Sequence, residues 1–359
     1  MLMEPQKLIR RTVRQFAQRE LAPTAAERDR TARFPAEAFA AMGRLGFLGM
    51  VVPQEFGGAG ADYVSYALAV IEIAAADGAT STSFQVHNSL TCLSILRHGT
   101  AEQKERYLRP LASGQQLGAF CLTEPEAGSD AASIKTRARR EGNKFVLNGV
   151  KQLITSGKSA DLAVVFAVTD PDAGRRGLSA FIVPTKTPGY IVGKVEHTMG
   201  QRSSDHCQIV FDDCAVLPEQ MLGEEGQGLK IALGNLEGGR IGVAAQAVGM
   251  GRAAYEAALA YAKERKTFDT PIIEHQAIAF KLADMVTALH AAELMVLRAA
   301  ALRDAGRPCL KEASMAKLFA TEAAEQVCNE AIQIHGGYGY LNDFSRGTDL
   351  SGRPCLQNL

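Results

Sequence analysis

Hydrophobic periodicity changes twice along this chain, and that double change limits the fold more than any other feature. Up to about Arg109 apolar residues recur at helical spacing, as in Leu8, Val13 and Phe16 and again in Tyr66, Leu68, Val70 and Ile71. Helix-starting signals at Pro35 and Thr100 divide these runs. Around Gly118 the pattern shortens to runs of β-formers separated by turn residues, at 144–147, 162–168, 180–183 and 208–211. From Gly228 onward Ala, Leu, Lys and Glu return at helical spacing and predict three long helices, through 251–263, 276–303 and 311–334. An α, β, α order of this kind predicts helical domains flanking a separately packed sheet domain, not alternating βαβ units. The chain shows no Rossmann-type glycine pattern after a strand and no internal repeat.

Turn chemistry refines this picture. Asn148-Gly149 predicts a two-residue hairpin, because both residues tolerate positive φ, and Pro53 to Gly60 reads as a sharp structural connection between packed helices. The 39 Lys+Arg cancel the 39 Asp+Glu and form no long basic run, which excludes a global electrostatic preference for nucleic acid or an anionic membrane surface. Small neutral ligands or locally cradled anions are expected instead. The seven cysteines are scattered from Cys92 to Cys355 without close pairs, so they are expected to be reduced thiols in a cytoplasmic protein. The amino terminus lacks the order of a signal peptide, and no apolar stretch is expected to be long enough to span a bilayer.

Three constellations can carry chemistry. In Cys121-Leu122-Thr123-Glu124-Pro125-Glu126-Ala127-Gly128-Ser129-Asp130, Pro125 stops strand pairing, and Gly128 and Ser129 offer free amides and a hydroxyl for an anion or a ring edge. An ordinary Asx turn at a strand exit is the alternative. Lys151 to Gly157 should return beside that first strand through the hairpin, so that Thr123 and Thr155 bring two hydroxyls to one rim. Thr155 can also simply end a strand. The third set is helical: Arg240 and Arg265, whose planar forks suit a pyrophosphate, and Gln333 before His335-Gly336-Gly337-Tyr338. Lone arginines on helices are otherwise solvated surface, and His335 suits a packed helix end better than a metal or an acid–base role.

Together and in this order, these motifs resemble the acyl-CoA dehydrogenase family over nearly the whole chain, from about Lys7 to Phe344. Leu122-Thr123-Glu124-Pro125 with Gly128-Ser129-Asp130, and Gln333 to Tyr340, look like the family's two signatures. The resemblance implies an α+β multidomain protein: an N-terminal all-α domain (1–117), a middle β-barrel (118–227) and a C-terminal four-helix-bundle-like domain (228–344). It implies FAD between the latter two and a homotetramer whose subunits complete each other's cofactor sites. The implied cofactor contacts are Leu122, Thr123, Gly128, Ser129, Ile154, Thr155, Arg265, Phe268, Gln333, Gly336 and Gly337, with Arg265 and Gln333 reaching a neighbouring subunit's FAD. The implied substrate contacts are Ser129, Arg240 and Tyr338. Leu153 departs from the family, which usually places an aromatic residue there; this chain has no Trp.

In the family a glutamate removes the acyl α-proton while the β-hydrogen leaves as hydride to flavin N5, and an electron-transfer flavoprotein takes the electrons. On the Arg240 helix the family's glutamate position is Gly239, and Glu237 is displaced by about 200° around the helix, so it reads as structural. The alternative glutamate belongs to an I-Y-E-G-T segment expected beyond Leu359, and no catalytic base is assigned within the sequence. The stretch 345–359 matches nothing expected. Read one nucleotide out of register with suitable synonymous codons, it becomes P-V-E-R-I-Y-R-D-V-R-V-C-K-I, a family-like segment. The expectation is therefore a frame-shifted tail, weak FAD binding and poor dehydrogenation. A flavin oxidase or monooxygenase, or a silent acyl-CoA- or flavin-binding subunit, are the competing functions, and the motif around Arg240 resembles the short and short/branched-chain members.

Overall fold

The computed structural model describes residues 2–341; the tail at 345–359 lies outside them. The first helical part comprises α1 (Glu4–Phe16), α2 (Ala22–Thr31), α3 (Ala36–Arg44), α4 (Tyr63–Ala76), α5 (Gly78–Gln85), α6 (Leu93–His98), α7 (Ala101–Gln103) and α8 (Arg109–Ala112). Its starts are capped as the side chains dictate: Asp62 Oδ1 accepts from Ser65 N at 2.7 Å, and Thr100 and Gln103 form a reciprocal capping box. Every residue of α4 is buried, as befits a helix apolar on all sides.

The middle part holds β1 (Gly118–Cys121), β2 (Arg137–Glu141), β3 (Lys144–Thr155), β4 (Leu162–Val168), β5 (Leu178–Pro184), β6 (Tyr190–Val195), β7 (His206–Val216) and β8 (Met221–Leu222). They form one sheet in the order β6-β7-β3-β2-β4-β5-β8, with β1 parallel to β4. The sheet curls round its own core. Ala119, Cys121, Ala163, Val165, Phe181 and Val183 pack inside it, while the alternating Phe120, Leu122, Val164, Phe166, Ala180 and Ile182 pack against helices. Both faces of β1, β4 and β5 are thereby buried.

Two turn expectations are corrected. Asn148-Gly149 is not a hairpin: β3 runs through it, and the turn between β2 and β3 is Gly142-Asn143, flanked by the pair Glu141 and Lys144. Gly142 alone there has positive φ, 57°, as a II′ turn requires. Asn148 instead stands opposite a bulge in β7, where Asp212 and Asp213 face it, Asn148 exchanges hydrogen bonds with Asp213, and any Cβ on Gly149 would fall 2.6 Å from Thr136 Oγ1. β3 also does not pair with β1 as a hairpin partner; among the described residues the backbone tie from the end of β1 to β3 is a bond from Gln152 N to Thr123 O, 2.8 Å.

The last part holds α9 (Gly228–Glu264), α10 (Gln276–Asp304) and α11 (Leu310–His335). The glycines of α9 let it lie against α4: a Cβ on Gly249 would sit 2.3 Å from Ile71 O. The two helical parts share one core, in which Val13, Leu68 and Ile71 meet Ile241, Val248 and Val296. One helix, α10, is long and apolar enough by length and composition to cross a bilayer, as core helices of packed bundles also can be. Here it packs beside α4, α9 and α11.

Candidate functional site

The sheet brings two sequence-predicted segments to one rim. Beyond the end of β1, Thr123 is held to β3 by the Gln152 bond, and β3 ends at Thr155, whose Oγ1 lies 3.3 Å from His206 Nδ1. Leu122 and Ile154 are buried beside these threonines. Leu153 and Ser156, on either side of Ile154-Thr155, both take left-handed conformations, φ 57° and 58°. Such strain in non-glycine residues persists only where the surroundings enforce it. Leu153 is 57 % exposed, while the Ser156 hydroxyl is fully buried with no hydrogen-bond partner.

An ion pair unassigned by sequence reasoning lies beneath this rim. Lys151, fully buried, donates from Nζ to Glu124 Oε1 at 2.7 Å and to Leu122 O at 3.1 Å. Glu124 also accepts from Thr136 N at 3.0 Å and Lys135 N at 2.5 Å. Burial opposes the Glu124 charge, but Lys151 and these N–H donors outweigh it and hold the carboxyl below its ordinary range. Burial pulls the Lys151 ammonium down more than Glu124 lifts it. Glu124 and Ala127 exchange backbone hydrogen bonds, which turns the chain toward Gly128 and Ser129, both exposed. A side chain on Gly128 would meet nothing within 4 Å, so the backbone there is open to a ligand.

A second cluster lies elsewhere. Arg265, Gly336, Gly337 and Tyr338 line a cavity of about 550 Å³ with Tyr261, Thr267, His275 and His335, and no residue of the sheet lines it. His335 stacks on Tyr261, ring centroids 4.7 Å apart, and its Nδ1 lies 2.7 Å from Ala331 O, in keeping with a packed helix-end histidine. Phe268, 93 % exposed with φ 52°, has an edge contact with His275. Gln333 is exposed on the last turn of α11 and does not line the cavity. The described chain therefore does not bring Arg265, Gly336 and Gly337 to the Thr123–Thr155 rim.

Arg240 is half-buried on α9 and belongs to neither cluster. Glu237 accepts a hydrogen bond from the Cys309 thiol, Sγ to Oε1 3.0 Å. Gly239 faces elsewhere, its notional Cβ 3.4 Å from Leu90. Sequence reasoning also passed over His87, which joins the helical part to the sheet. Gly118 N–H donates to its Nδ1 at 3.0 Å, so the ring proton sits on Nε2, 3.2 Å from Leu111 O, and burial pushes its pKa down to about 4. No motif marks it; only its contacts across the joint do.

Three family descriptions tile the chain: acyl-CoA dehydrogenase N-terminal domain over residues 3–115, middle domain over 119–214 and C-terminal domain over 226–350. An acyl-CoA dehydrogenase of Bacillus subtilis is 48 % identical over 341 residues, 95 % of this chain and 90 % of that protein. The mitochondrial short-chain specific acyl-CoA dehydrogenase of Homo sapiens is 46 % identical over 342 residues, 95 % of this chain and 83 % of its own length. Among solved structures, butyryl-CoA dehydrogenase from Megasphaera elsdenii superposes with a TM-score of 0.94 at 40 % identity, covering 100 % of this chain and 94 % of that one. With matching sequence in all three parts, and the same fold throughout, this chain belongs to the acyl-CoA dehydrogenase family.

Proposed function

We propose that this chain catalyses α,β-dehydrogenation of a short or branched acyl-CoA thioester to the trans-2-enoyl-CoA, with FAD as cofactor and an electron-transfer flavoprotein as acceptor. The carrying observation is the rim where Thr123 is tied to β3 through Gln152 and β3 ends at Thr155, followed by the buried, unpartnered Ser156 hydroxyl. This donor set fits a flavin: the threonine hydroxyls suit the polar edge of a planar heterocycle, and the buried Leu122 and Ile154 give them apolar neighbours. The open backbone at Gly128 suits a phosphate. Arg265, beside Gly336 and Gly337, suits the pyrophosphate of a cofactor held by a neighbouring subunit, since it lies away from its own chain's rim. FAD bound at the rim supplies the hydride acceptor for the substrate's β-carbon.

On this reading Ser129 beside the rim and Arg240 on α9 are thioester contacts, whereas Tyr338 lines the separate Arg265 cavity and is not brought to Ser129 within the described chain. Proton abstraction needs a desolvated carboxylate. Gly239 offers none and the Glu237 carboxylate accepts from the Cys309 thiol, so neither of these α9 positions presents a free carboxylate. The short-chain specificity of the human relative and the butyryl-CoA specificity of the Megasphaera enzyme support a short substrate. The domain limits are read as 1–117, 118–227 and 228–344. The assembly is read as a homotetramer and the setting as cytoplasmic, in keeping with six described cysteines that are all free and buried.

Anaerobic addition of butyryl-CoA to the FAD-loaded protein tests this reading. Complete bleaching of the flavin, faster than with acyl groups of a dozen carbons, is expected. Saturable FAD binding without bleaching would leave a silent binding subunit, and rapid peroxide formation in air would indicate an oxidase.

A further inference from the structure

Strand pairing does not explain how Leu122 and Thr123 are held at the rim. The ladder between β1 and β4 stops at Cys121, so the two residues lie past its end. Among the described residues, the backbone tie from 122–124 to β3 is the single Gln152–Thr123 bond. The remaining tie is a side chain. Lys151 Nζ reaches across from β3 to the carbonyl immediately before Thr123 and to the carboxylate immediately after it. Through Glu124 the same contact fastens the amides of Lys135 and Thr136, which close the far end of the Gly128-Ser129 loop. Four residues beyond Lys151, β3 ends at Thr155, with its register against β7 broken between Lys151 and Ile154.

A fully buried ion pair is a poor way to gain stability, because desolvation of both charges offsets their attraction and an apolar pair of similar shape is often as stable. What such a pair provides is a fixed geometry. We propose that Lys151 and Glu124 are positioning residues for the flavin: their buried pair sets the spacing between the Thr123 and Thr155 arms, and with it the affinity and reduction potential of the bound cofactor. This inference rests on the FAD reading above. It requires no contact between either charge and the flavin, and neither residue is a catalytic residue.

The double variant Lys151→Met with Glu124→Gln tests it, since it removes both charges together and leaves neither partner buried alone. Circular dichroism and thermal melting should show a folded protein close in stability to the unmodified chain. FAD titration should show binding weakened tenfold or more, and the visible flavin bands should shift. The oxidised and reduced cofactor should lose affinity unequally, and a tenfold inequality moves a two-electron potential by about 30 mV. Should the double variant not fold, Glu124→Gln alone, which keeps an acceptor for the Thr136 amide, is read in the same way. Unchanged affinity, spectrum and potential would overturn the positioning role while leaving the FAD reading intact. If the unmodified folded chain itself takes up no FAD, that reading falls and this inference falls with it.

Discussion

Leu153 shows how one residue can be both strained and exposed at a site. Its left-handed backbone turns the side chain outward between Gln152, which holds Thr123, and Ile154, which is buried. A larger aromatic surface at this place should stack on the flavin face and contribute about 1 kcal/mol beyond simple burial. Leu153→Trp should therefore tighten FAD binding by about fivefold. With no other Trp in the chain, quenching of its fluorescence reads the titration directly; an unchanged dissociation constant would place this side chain off the ring. A second substitution tests the glutamate position on α9. The notional Cβ of Gly239 has only Leu90 near it, at 3.4 Å, so Gly239→Glu is accommodated. It should raise the rate of flavin bleaching by butyryl-CoA by about 10²-fold, the lower end of what a positioned general base contributes. A rate no higher than that of the unmodified chain would show that the base resides elsewhere.

Among elements, the docking of α1 on α4 and α9 depends on one buried carboxylate. Glu72 on α4 accepts from Arg10 Nε at 2.8 Å, Arg14 Nε at 2.8 Å and Arg252 Nη2 at 2.6 Å. Burial raises its pKa, but Arg252, Arg14 and Arg10 together overcome that and bring it from 4.5 down to about 2. Because the folded value is depressed, the unfolded chain binds the proton first. The stabilisation is thus complete above pH 4.5 and is lost as the pH falls toward 2. It amounts to roughly 3 kcal/mol at neutral pH. Glu72→Gln should cost about that much in urea unfolding at pH 7, and its stability should change less between pH 4.5 and pH 2. An equally steep acid loss in the variant would assign the acid sensitivity to other groups.

At the scale of the molecule, the apolar surface is uneven. Phe280 and Leu294 on α10 and Met315, Leu318 and Phe319 on α11 are exposed, on helices whose other faces form the bundle core. Scattered apolar residues need no explanation, but several on two neighbouring helices are what the proposed assembly would cover. The unmodified protein should run as a tetramer in light scattering, and Leu294→Glu with Leu318→Glu should give a smaller species of unchanged helicity. A monomeric unmodified chain would contradict the proposed assembly and leave Arg265 without a neighbour's cofactor to reach.

The α, β, α order was legible because apolar spacing within a helix or strand is a local property of consecutive residues, as Leu68 to Ile71 and Leu162 to Val168 illustrate. Strand β2, Arg-Ala-Arg-Arg-Glu, and strand β6, exposed after Tyr190, were not legible, since neither carries an apolar alternation. Asn148-Gly149 has the composition of a turn, and only pairing with β2 and β7 and the crowding of Gly149 by Thr136 keep it within a strand, opposite a bulge in β7. The threonines of the rim were legible as motif residues. The burial of Lys151 was not: it continues the inward phase of Phe145 and Leu147 along β3, but the partner that makes a buried ammonium tolerable is Glu124, 27 residues away. Local chemistry, carried by the sequence, determined which segments are helices and strands and which groups can meet a flavin or a phosphate. The tertiary structure alone decided that the two helical parts share a core, that the Arg265 cavity stands apart from the Thr123–Thr155 rim, and that an ion pair lies under that rim, because burial and long-range pairing are properties of the packed chain.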